Sequence, residues 1–328
     1  MKAPDQPDET VTEPKPVTKW APIVGLWRFE DGAVVFRGPQ PDQPPQNPYG
    51  LCVSDVRFSG GEISATVQFP RAEPDALTIP DASAYVMLGY RSPTDEYFAV
   101  GLAGYQYAYT ITHFDPAYGW RPLANAGSRA NLVADRPYQV RTQIAGQKVI
   151  LEVDGVRVLE RVLDKPLPNG QLGLFAWGTR EVTFSGVSFN VTEEQRTAFV
   201  VMAFASPYLE LYEDVIKRVA KEKEFNLYPY NVGEVAGPGV IIDDIVRGIA
   251  TAKLVIAEIT PPNVNVFYEL GYAHALNKDT ILLADKSKEK DLPFDVRHRR
   301  CIFYENSIGG KSKVEDALRK HLRAIRDK

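Results

Sequence analysis

The hydrophobic periodicity of this chain changes once, near residues 191–197, and this change constrains the fold more than any other feature. Before it, apolar and polar residues alternate in short runs, of which residues 63–69 are one. A period of two is typical of half-buried β-strands. After it, continuous apolar runs such as residues 198–204 and 254–259 alternate with helical stripes. The sequence therefore predicts an all-β part followed by an α/β part with a parallel sheet.

The first half of the chain carries the signals of an antiparallel β-sandwich. Asp154-Gly155 lies between two alternating runs, which is a strong hairpin signal. Many short strands separated by Gly and Pro turns predict a sandwich. The segments G-Q-L-G-L-F-A-W-G and V-T-F-S-G-V-S-F resemble the last strands of the concanavalin A-like jelly roll found in laminin-G and glucanase domains. The run E-x-D-x-x-E of related glycosidases is missing, so the resemblance implies the fold and not glycan hydrolysis.

An aromatic tract at residues 105–120 lies within the predicted sandwich. Tyr105, Tyr107 and Tyr109 share one face if the segment is a strand. We expect this face to pack in the core or at an interface. The alternative is an aromatic surface for a sugar or a partner protein, so a protein or glycan ligand of the β-sandwich stays open.

Four segments follow from these patterns. Residues 1–19, rich in Pro, Asp, Glu and Thr, are predicted to be a disordered lead without the apolar segment of a signal peptide. We place the β-sandwich at residues 20–190, the charged linker V-T-E-E-Q-R-T at residues 191–197 and the α/β domain at residues 198–328. A chain of 328 residues is long enough for two domains, each with its own core.

Composition argues against several classes of partner. The net charge of -4 gives no broad basic field for nucleic acid. No apolar run approaches the roughly 18 residues that a membrane helix needs. Cys52 and Cys301, the two cysteines, lie in different predicted domains, which argues against a structural disulfide and favours a cytoplasmic location. No spacing of His, Cys and Asp predicts a metal site.

The segment at residues 252–276 predicts a strand, a polar loop and a helix that carries Glu269 in its first turns. Ligands of open parallel sheets bind at the carboxyl ends of the strands, where this loop should lie. We expect Glu269 at that crevice, ionised at neutral pH, with Tyr268 and Tyr272 positioned to stack on a ligand. The alternative is a solvated glutamate that complements the helix dipole.

Four loops should converge on this edge of the sheet, one of them the segment L-P-F-D at residues 292–295. The first carries Phe204 and Ser206, where backbone amides and the hydroxyl would hold a phosphate, or where Ser206 would simply cap a helix. The glycine-rich loop N-V-G-E-V-A-G-P-G carries Glu234. The loop after the strand at residues 254–259 offers amide groups suited to a base or ribose, unless they serve as helix caps; its candidates are Glu258, Asn263 and Asn265.

The segment N-V-F-Y-E-L-G-Y-A-H-A-L, followed by K-D-T-I-L-L-A and L-P-F-D-V-R, resembles the bacterial TIR-like proteins, a group that overlaps the nucleoside 2-deoxyribosyltransferase-like superfamily. The resemblance covers residues 197–304 and implies a TIR-like, flavodoxin-like α/β fold. It assigns Glu269 to attack on, or stabilisation of, a sugar whose N-glycosidic bond breaks. It also implies that Glu234 contacts ribose, and that Glu258 stands where relatives often have aspartate.

One position departs from the deoxyribosyltransferases, which have an aspartate six residues before the nucleophile. This chain has Asn263 there, and an amide cannot donate a proton to a leaving base as an acid would. The departure favours a leaving group that is already cationic, such as the nicotinamide of NAD.

The resemblance leads to three hypotheses. The first is a TIR-like bacterial defence effector that hydrolyses the N-glycosidic bond of NAD or a related nucleotide as a homo-oligomer. NAD is then the substrate, no cofactor is needed, and the β-sandwich is a sensing or assembly module. The second is a nucleoside 2-deoxyribosyltransferase-like N-glycosidase. The third is a non-catalytic protein that binds a nucleotide signal or serves as a scaffold.

Overall fold

The structure is a computed structural model that describes residues 13–44, 46–74, 77–190, 196–235, 240–293, 296 and 300–327. It forms two compact units: a β unit within residues 13–163 and 167–190, and an α/β unit within residues 196–327, with which Asp164–Pro166 are grouped. Most of the predicted linker, residues 191–195, lies outside the described residues. The helices in the described part of the chain all lack the combination of length and apolar character that crossing a bilayer requires.

Within its described residues, the β unit contains fifteen strands in two antiparallel sheets. The strands are β1 Lys15–Pro16, β2 Trp20–Val24, β3 Leu26–Glu30, β4 Ala33–Gly38, β5 Tyr49–Phe58, β6 Gly61–Gln68, β7 Ala82–Tyr90, β8 Tyr97–Leu102, β9 Tyr107–Asp115, β10 Gly119–Ser128, β11 Pro137–Ala145, β12 Lys148–Val153, β13 Val156–Val162, β14 Gly170–Gly178 and β15 Val182–Asn190. The first sheet has the order β13-β12-β11-β6-β15-β4-β3, and β1 also pairs with β15. The second has the order β10-β9-β8-β7-β14-β5-β2.

The core between the two sheets follows the alternation in the sequence. In β6, Ile63, Ala65 and Val67 are buried in this inter-sheet core, whereas the residues between them are less buried. The predicted hairpin is confirmed: β12 pairs with β13, and Asp154 and Gly155 have φ of 53° and 78°. Two successive positive φ values are what a two-residue type I′ turn requires. The predicted jelly-roll-like sandwich is therefore the observed fold of this half.

Part of the predicted disordered lead is ordered. Residues 1–12 lie outside the described residues, but Lys15 pairs with Phe189 and Pro16 pairs with Ser188 at the end of β15. Val17 is 8% exposed and packs into the inter-sheet core. Val17 supplies an apolar side chain, and β4 leaves the end of β15 at Ser188 and Phe189 unpaired, which explains why the prediction of disorder is wrong for these residues.

The second sheet is apolar on its outer face as well as its inner face. In β7, Val86 and Leu88 enter the inter-sheet core, and Tyr85 and Met87 alternate to the opposite face. The rings on that face form an outer aromatic cluster, made of Tyr49, Tyr85, Tyr90, Tyr97, Phe114, Trp120, Phe175 and Trp177. The centroid of Trp120 lies 4.9 Å from that of Phe175.

The tyrosines expected to form one packed face do not do so. Tyr109 packs against the inter-sheet core, but Tyr105 and Tyr107 are 49% and 42% exposed. The strand β9 begins only at Tyr107, and Tyr105 lies in the preceding turn with φ of 55°. The period-two argument therefore fails at Tyr105, because this residue is not in a strand.

The α/β unit has a five-stranded parallel sheet with helices. Its strands are β16 Arg196–Val201, β17 Leu227–Tyr230, β18 Leu254–Glu258, β19 Asp279–Asp285 and β20 Cys301–Tyr304. Its helices are α1 Tyr208–Leu211, α2 Lys217–Ala220, α3 Ile241–Thr251, α4 Val264–Ala275 and α5 Ile308–Arg326. The sheet order is β17-β16-β18-β19-β20, so the first strand of the unit lies between the second and the third. This is the order 2-1-3-4-5 of flavodoxin-like folds.

Apolar residues at Leu211, Val215 and Val219 form a stripe that predicts a helix from Tyr208 to Lys223, and the observed helix is interrupted. Residues Tyr212–Ile216 form a π-helical turn between α1 and α2. The apolar stripe survives this turn, because Val215 and Val219 both remain buried in the core of the unit. Single π-helical turns within helices are frequent near functional sites.

Candidate functional site

A cleft opens at the carboxyl edge of the parallel sheet, where the strand order reverses. The chain leaves β16 through Met202, Ala203 and Phe204, which line one side of this cleft. The residues after β18 line another side through Asn263 and Asn265. Chains that leave neighbouring strands in opposite directions open a crevice, and open α/β sheets bind their ligands there. The cavity has a volume of about 400 Å³.

Asn263 fixes the start of the helix that carries Glu269. Its Oδ1 accepts hydrogen bonds from the backbone amides of Asn265, at 2.9 Å, and Val266, at 3.4 Å. This is the N-cap arrangement, which satisfies amides that a helix start leaves unpaired. Asn263 therefore holds α4 in place while its side chain also lines the cleft.

Glu269 lies in the second turn of α4 and faces the cleft, half-buried. Desolvation by burial raises the pKa of this carboxyl to about 7. The expectation that Glu269 is ionised at neutral pH therefore holds only for part of the molecules, because the surrounding apolar groups disfavour the charge. A carboxyl with this pKa exchanges its proton near neutral pH, which suits a group that acts in acid–base or electrostatic catalysis.

Two aromatic rings stand at the cleft beside Glu269. Phe204 and Tyr268 both line it, and they are 52% and 58% exposed. Gly233 lies against the ring of Phe204, since a Cβ added there would be 3.2 Å from Phe204 Cε1. Five of the nine predicted site residues therefore meet in one cleft, namely Phe204, Asn263, Asn265, Tyr268 and Glu269.

Ser206 and Glu234 are predicted substrate-binding residues that do not line the cleft. Ser206 Oγ donates a hydrogen bond to Glu210 Oε1 at 2.8 Å instead of capping a helix. Glu234 Oε1 accepts from Tyr212 Oη at 2.7 Å and lies 2.8 Å from Lys217 Nζ. Its carboxylate is thus engaged with the residues around the π-helical turn, which removes it from the ligand surface.

Glu258 is buried below the cleft, with 1% of its surface exposed. Its Oε1 accepts hydrogen bonds from the backbone amide of Thr260, at 2.9 Å, and from the Thr260 hydroxyl. Thr260 Oγ1 accepts in turn from the Asp285 amide at 2.9 Å. Burial raises the pKa of Glu258 to about 8. These contacts fix the loop between β18 and α4, so Glu258 supports the cleft without lining it.

Tyr272, the remaining predicted residue, lies one turn after Tyr268 on α4 and is half-buried. Burial, with a smaller effect from Tyr268, raises the pKa of its hydroxyl. It is not among the described residues that line the cleft. The cleft ends at the second turn of α4, which is why a residue in the third turn falls outside it.

Helix α3 supplies the residues that the sequence interpretation missed. Ile241, Ile242 and Ile245 line the cleft, and the first two are 68% and 39% exposed. The apolar stripe of α3 predicts that Ile242 and Ile245 pack inward, and it makes no such prediction for Ile241. The sequence does carry a signal for them, because α3 starts with two successive isoleucines. One buried stripe cannot cover both side chains, which indicates an apolar surface at the start of the helix.

Comparison with solved structures concerns about half of the chain. The chain is similar to the carbohydrate-binding module CBM66 from Bacillus subtilis, with 13% sequence identity and a TM-score of 0.43. The match covers 52% of this chain and 94% of the module. It is similar to a β-glucanase from Bacillus licheniformis, with 11% identity over 54% of this chain and 96% of the enzyme and a TM-score of 0.37. For the galectin LEC-6 from Caenorhabditis elegans, identity is 14% over 48% of this chain and 94% of the galectin, and the TM-score is 0.31.

No family model matches the chain, and no curated protein matches its sequence. The resemblance of residues 197–304 to TIR-like proteins therefore stays a prediction from the sequence motifs. Within L-P-F-D-V-R, Phe294, Asp295 and Arg297 lie outside the described residues.

Proposed function

We propose that the α/β unit cleaves the N-glycosidic bond of NAD or a related nucleotide, with Glu269 as the catalytic carboxylate. The observation that carries this proposal is the half-buried Glu269 in a cleft at the switch point of the sheet. The aromatic rings of Phe204 and Tyr268 suit a planar base, and the amides of Asn263 and Asn265 suit ribose hydroxyls.

The chemistry requires the ionised form of Glu269. The bond between ribose C1′ and the base nitrogen breaks, and its electron pair leaves with the nitrogen, so a pyridinium ring departs as neutral nicotinamide. Positive charge develops on the sugar, and a nearby carboxylate stabilises or traps it, as in other glycoside hydrolyses. Water then adds its oxygen to C1′ and releases a proton to the carboxylate or the solvent. No acid is needed to protonate nicotinamide, in keeping with Asn263.

Incubation of concentrated protein with NAD and, separately, with deoxynucleosides tests this assignment. The products are resolved by chromatography at pH 8, where Glu269 is mostly ionised. We expect nicotinamide and ADP-ribose from NAD, and little transfer between deoxynucleosides. Exchange of bases between deoxynucleosides would favour the deoxyribosyltransferase-like alternative. Binding of NAD without any product would favour the non-catalytic nucleotide-binding scaffold.

The β unit is assigned a sensing or assembly role within a cytoplasmic bacterial defence effector. A catalytic unit that destroys NAD has to be held inactive until a signal arrives, and the second unit is the available regulator. We expect activity to depend on self-association into a homo-oligomer. Light scattering of the full chain, with product formation followed over the same concentration range, tests this role. A fully active monomer would contradict it.

A second candidate function, carbohydrate binding, is favoured by the outer aromatic cluster. Trp120 and Trp177 are half-buried on a sheet face whose rings are of the kind that pack against sugars. The test is tryptophan fluorescence of the full chain titrated with soluble glycans. We expect a spectral change that Trp120→Phe reduces, whereas no response to a broad glycan panel would contradict this function.

A further inference from the structure

The charge of the cleft bears on which part of a nucleotide enters it. Glu269 is the one ionisable acid among the described residues that line the cleft, and no lysine or arginine is among them. The other lining groups are two amides, Tyr268 and apolar side chains: Met202, Ala203, Phe204, Val232, Ile241, Ile242, Ile245 and Val266. Burial is the cause of the raised pKa of Glu269, which accords with a carboxylate that has no cation close by.

Such a lining disfavours phosphate. A phosphate group loses hydration on entering an apolar cleft and is repelled by an ionised carboxylate there. The start of α4 does not offset this cost, because Asn263 already accepts from the amides of Asn265 and Val266. The start of α3 carries Asp243 and Asp244 in its first turn, which also oppose an anion.

The same lining favours a flat organic cation. The rings of Phe204 and Tyr268 present π faces or edges to a ligand, and a cation is attracted to the face of such a ring. The Glu269 carboxylate then supplies the counter-charge. A pyridinium ring joined to ribose meets both conditions, since it is planar, mostly apolar and positively charged.

We propose that the cleft selects the cationic pyridinium–ribose part of its substrate and leaves the phosphates outside. It follows that a pyridinium ribonucleoside without phosphate is bound and cleaved at least as well as its 5′-phosphate or NAD. This inference rests on the proposed function for the cleavage step, but its binding step can be tested without turnover.

The binding step is tested with two small probes, the 1-methylnicotinamide cation and neutral nicotinamide. Both are titrated into the full chain at pH 8 by calorimetry or ligand-observed NMR. We expect the cation to bind at least on the order of tenfold more tightly, because it alone pairs with the Glu269 carboxylate. Glu269→Gln should abolish this difference. Glu213→Gln, which removes a charge at a site 57% exposed and outside the cleft, should preserve it. Equal binding of the two probes by the wild-type protein would overturn the inference.

The phosphate step is tested with nicotinamide riboside, nicotinamide mononucleotide and NAD at one ionic strength. We expect kcat/KM for the riboside to equal or exceed the values for the two phosphorylated substrates. A preference of roughly tenfold or more for NAD or the mononucleotide would overturn the inference while leaving the proposed function intact. If none of the three is cleaved, the proposed function fails. The inference is then decided by the dissociation constants of the same three compounds, with weaker binding of the riboside contradicting it.

Discussion

At the scale of single residues, Glu269 joins two properties that oppose each other. Its half-buried position gives a carboxylate a strong influence on a bound sugar, because the local dielectric is low. The same burial raises its pKa to about 7, so a substantial fraction is protonated at neutral pH. Burial therefore strengthens the effect of the ionised carboxylate on a bound sugar, but it lowers the fraction of Glu269 that is ionised at neutral pH. Both effects can be measured.

The first prediction concerns stability. The pKa of Glu269 is about 7 in the fold and near 4.5 without it, so the folded state binds this proton more tightly. The contribution of this bound proton to the free energy of unfolding is complete below pH 4.5, and it is lost as the pH rises through about 7. Because Gln stays neutral, Glu269→Gln should melt above wild type at pH 8, and the gap should narrow at pH 5. Thermal unfolding at both pH values checks this, and a gap that does not change with pH would contradict it.

The sequence identifies some of these residues and not others, for physical reasons. Glu269 and Asn263 are accessible to local reasoning, since a loop after an apolar strand and the cap of the next helix follow from neighbouring residues. Local reasoning does not reveal the burial of Glu258, because Thr260 and Asp285, the latter on the next strand, form the hydrogen-bonded surroundings of its carboxyl. The same holds for Glu234, whose partners Tyr212 and Lys217 precede it by many residues.

At the scale of elements, the cleft depends on how closely α3 approaches the sheet. Gly248 of α3 lies against Phe199 of β16, and a Cβ on this glycine would be 2.5 Å from Phe199 Cε2. Phe199 is fully buried, so a shift of its ring would have to displace neighbouring core side chains. Because α3 also supplies Ile241, Ile242 and Ile245, this contact sets the width of the cleft.

The second prediction compares two helical glycines. Gly248→Ala should lower the free energy of unfolding by about 1–3 kcal/mol, because the added methyl overpacks against Phe199. Gly271→Ala in α4 should raise it by roughly 0.5–1 kcal/mol, since a Cβ there meets no atom within 4 Å and alanine favours a helix. Urea unfolding of both variants checks the signs. Two changes of the same sign would contradict the account of the α3 contact.

Element types follow from periodicity, whereas irregularities within elements do not. The parallel strands and the helices α3, α4 and α5 follow from apolar runs and stripes in the sequence. The π-helical turn at Tyr212–Ile216 has no such signal, because its extra residue is accommodated by packing and by Glu234 from another loop. Tyr105 is missed for a related reason, since a turn before β9 displaces it from the expected strand.

At the scale of the whole molecule, the chain combines two kinds of core. The β unit buries an inter-sheet core, and the α/β unit buries a separate cluster around β16, β18 and α5. A unit with its own core can fold without the other. The strand order of the parallel sheet determines where the cleft opens, and the sequence indicates this edge without giving the order of the strands.

The third prediction tests that independence. Limited proteolysis within the predicted linker, residues 191–197, should give a β fragment and an α/β fragment that both remain folded. Circular dichroism should show strand structure alone in the first and mixed structure in the second, each with a cooperative melt. Loss of structure in both fragments after cleavage would indicate one fused core instead.

The most direct test of the central claim is the rate of NAD cleavage by wild-type protein and Glu269→Gln, measured across pH 5 to 9. We predict that the wild-type rate rises with pH through about 7, because the ionised carboxylate is the active form. The Gln variant, with its fold intact, should lose about two to three orders of magnitude at pH 8. Glu213→Gln should keep the wild-type rate and profile. Wild-type turnover in the Glu269→Gln variant would contradict the claim that this cleft is an active site.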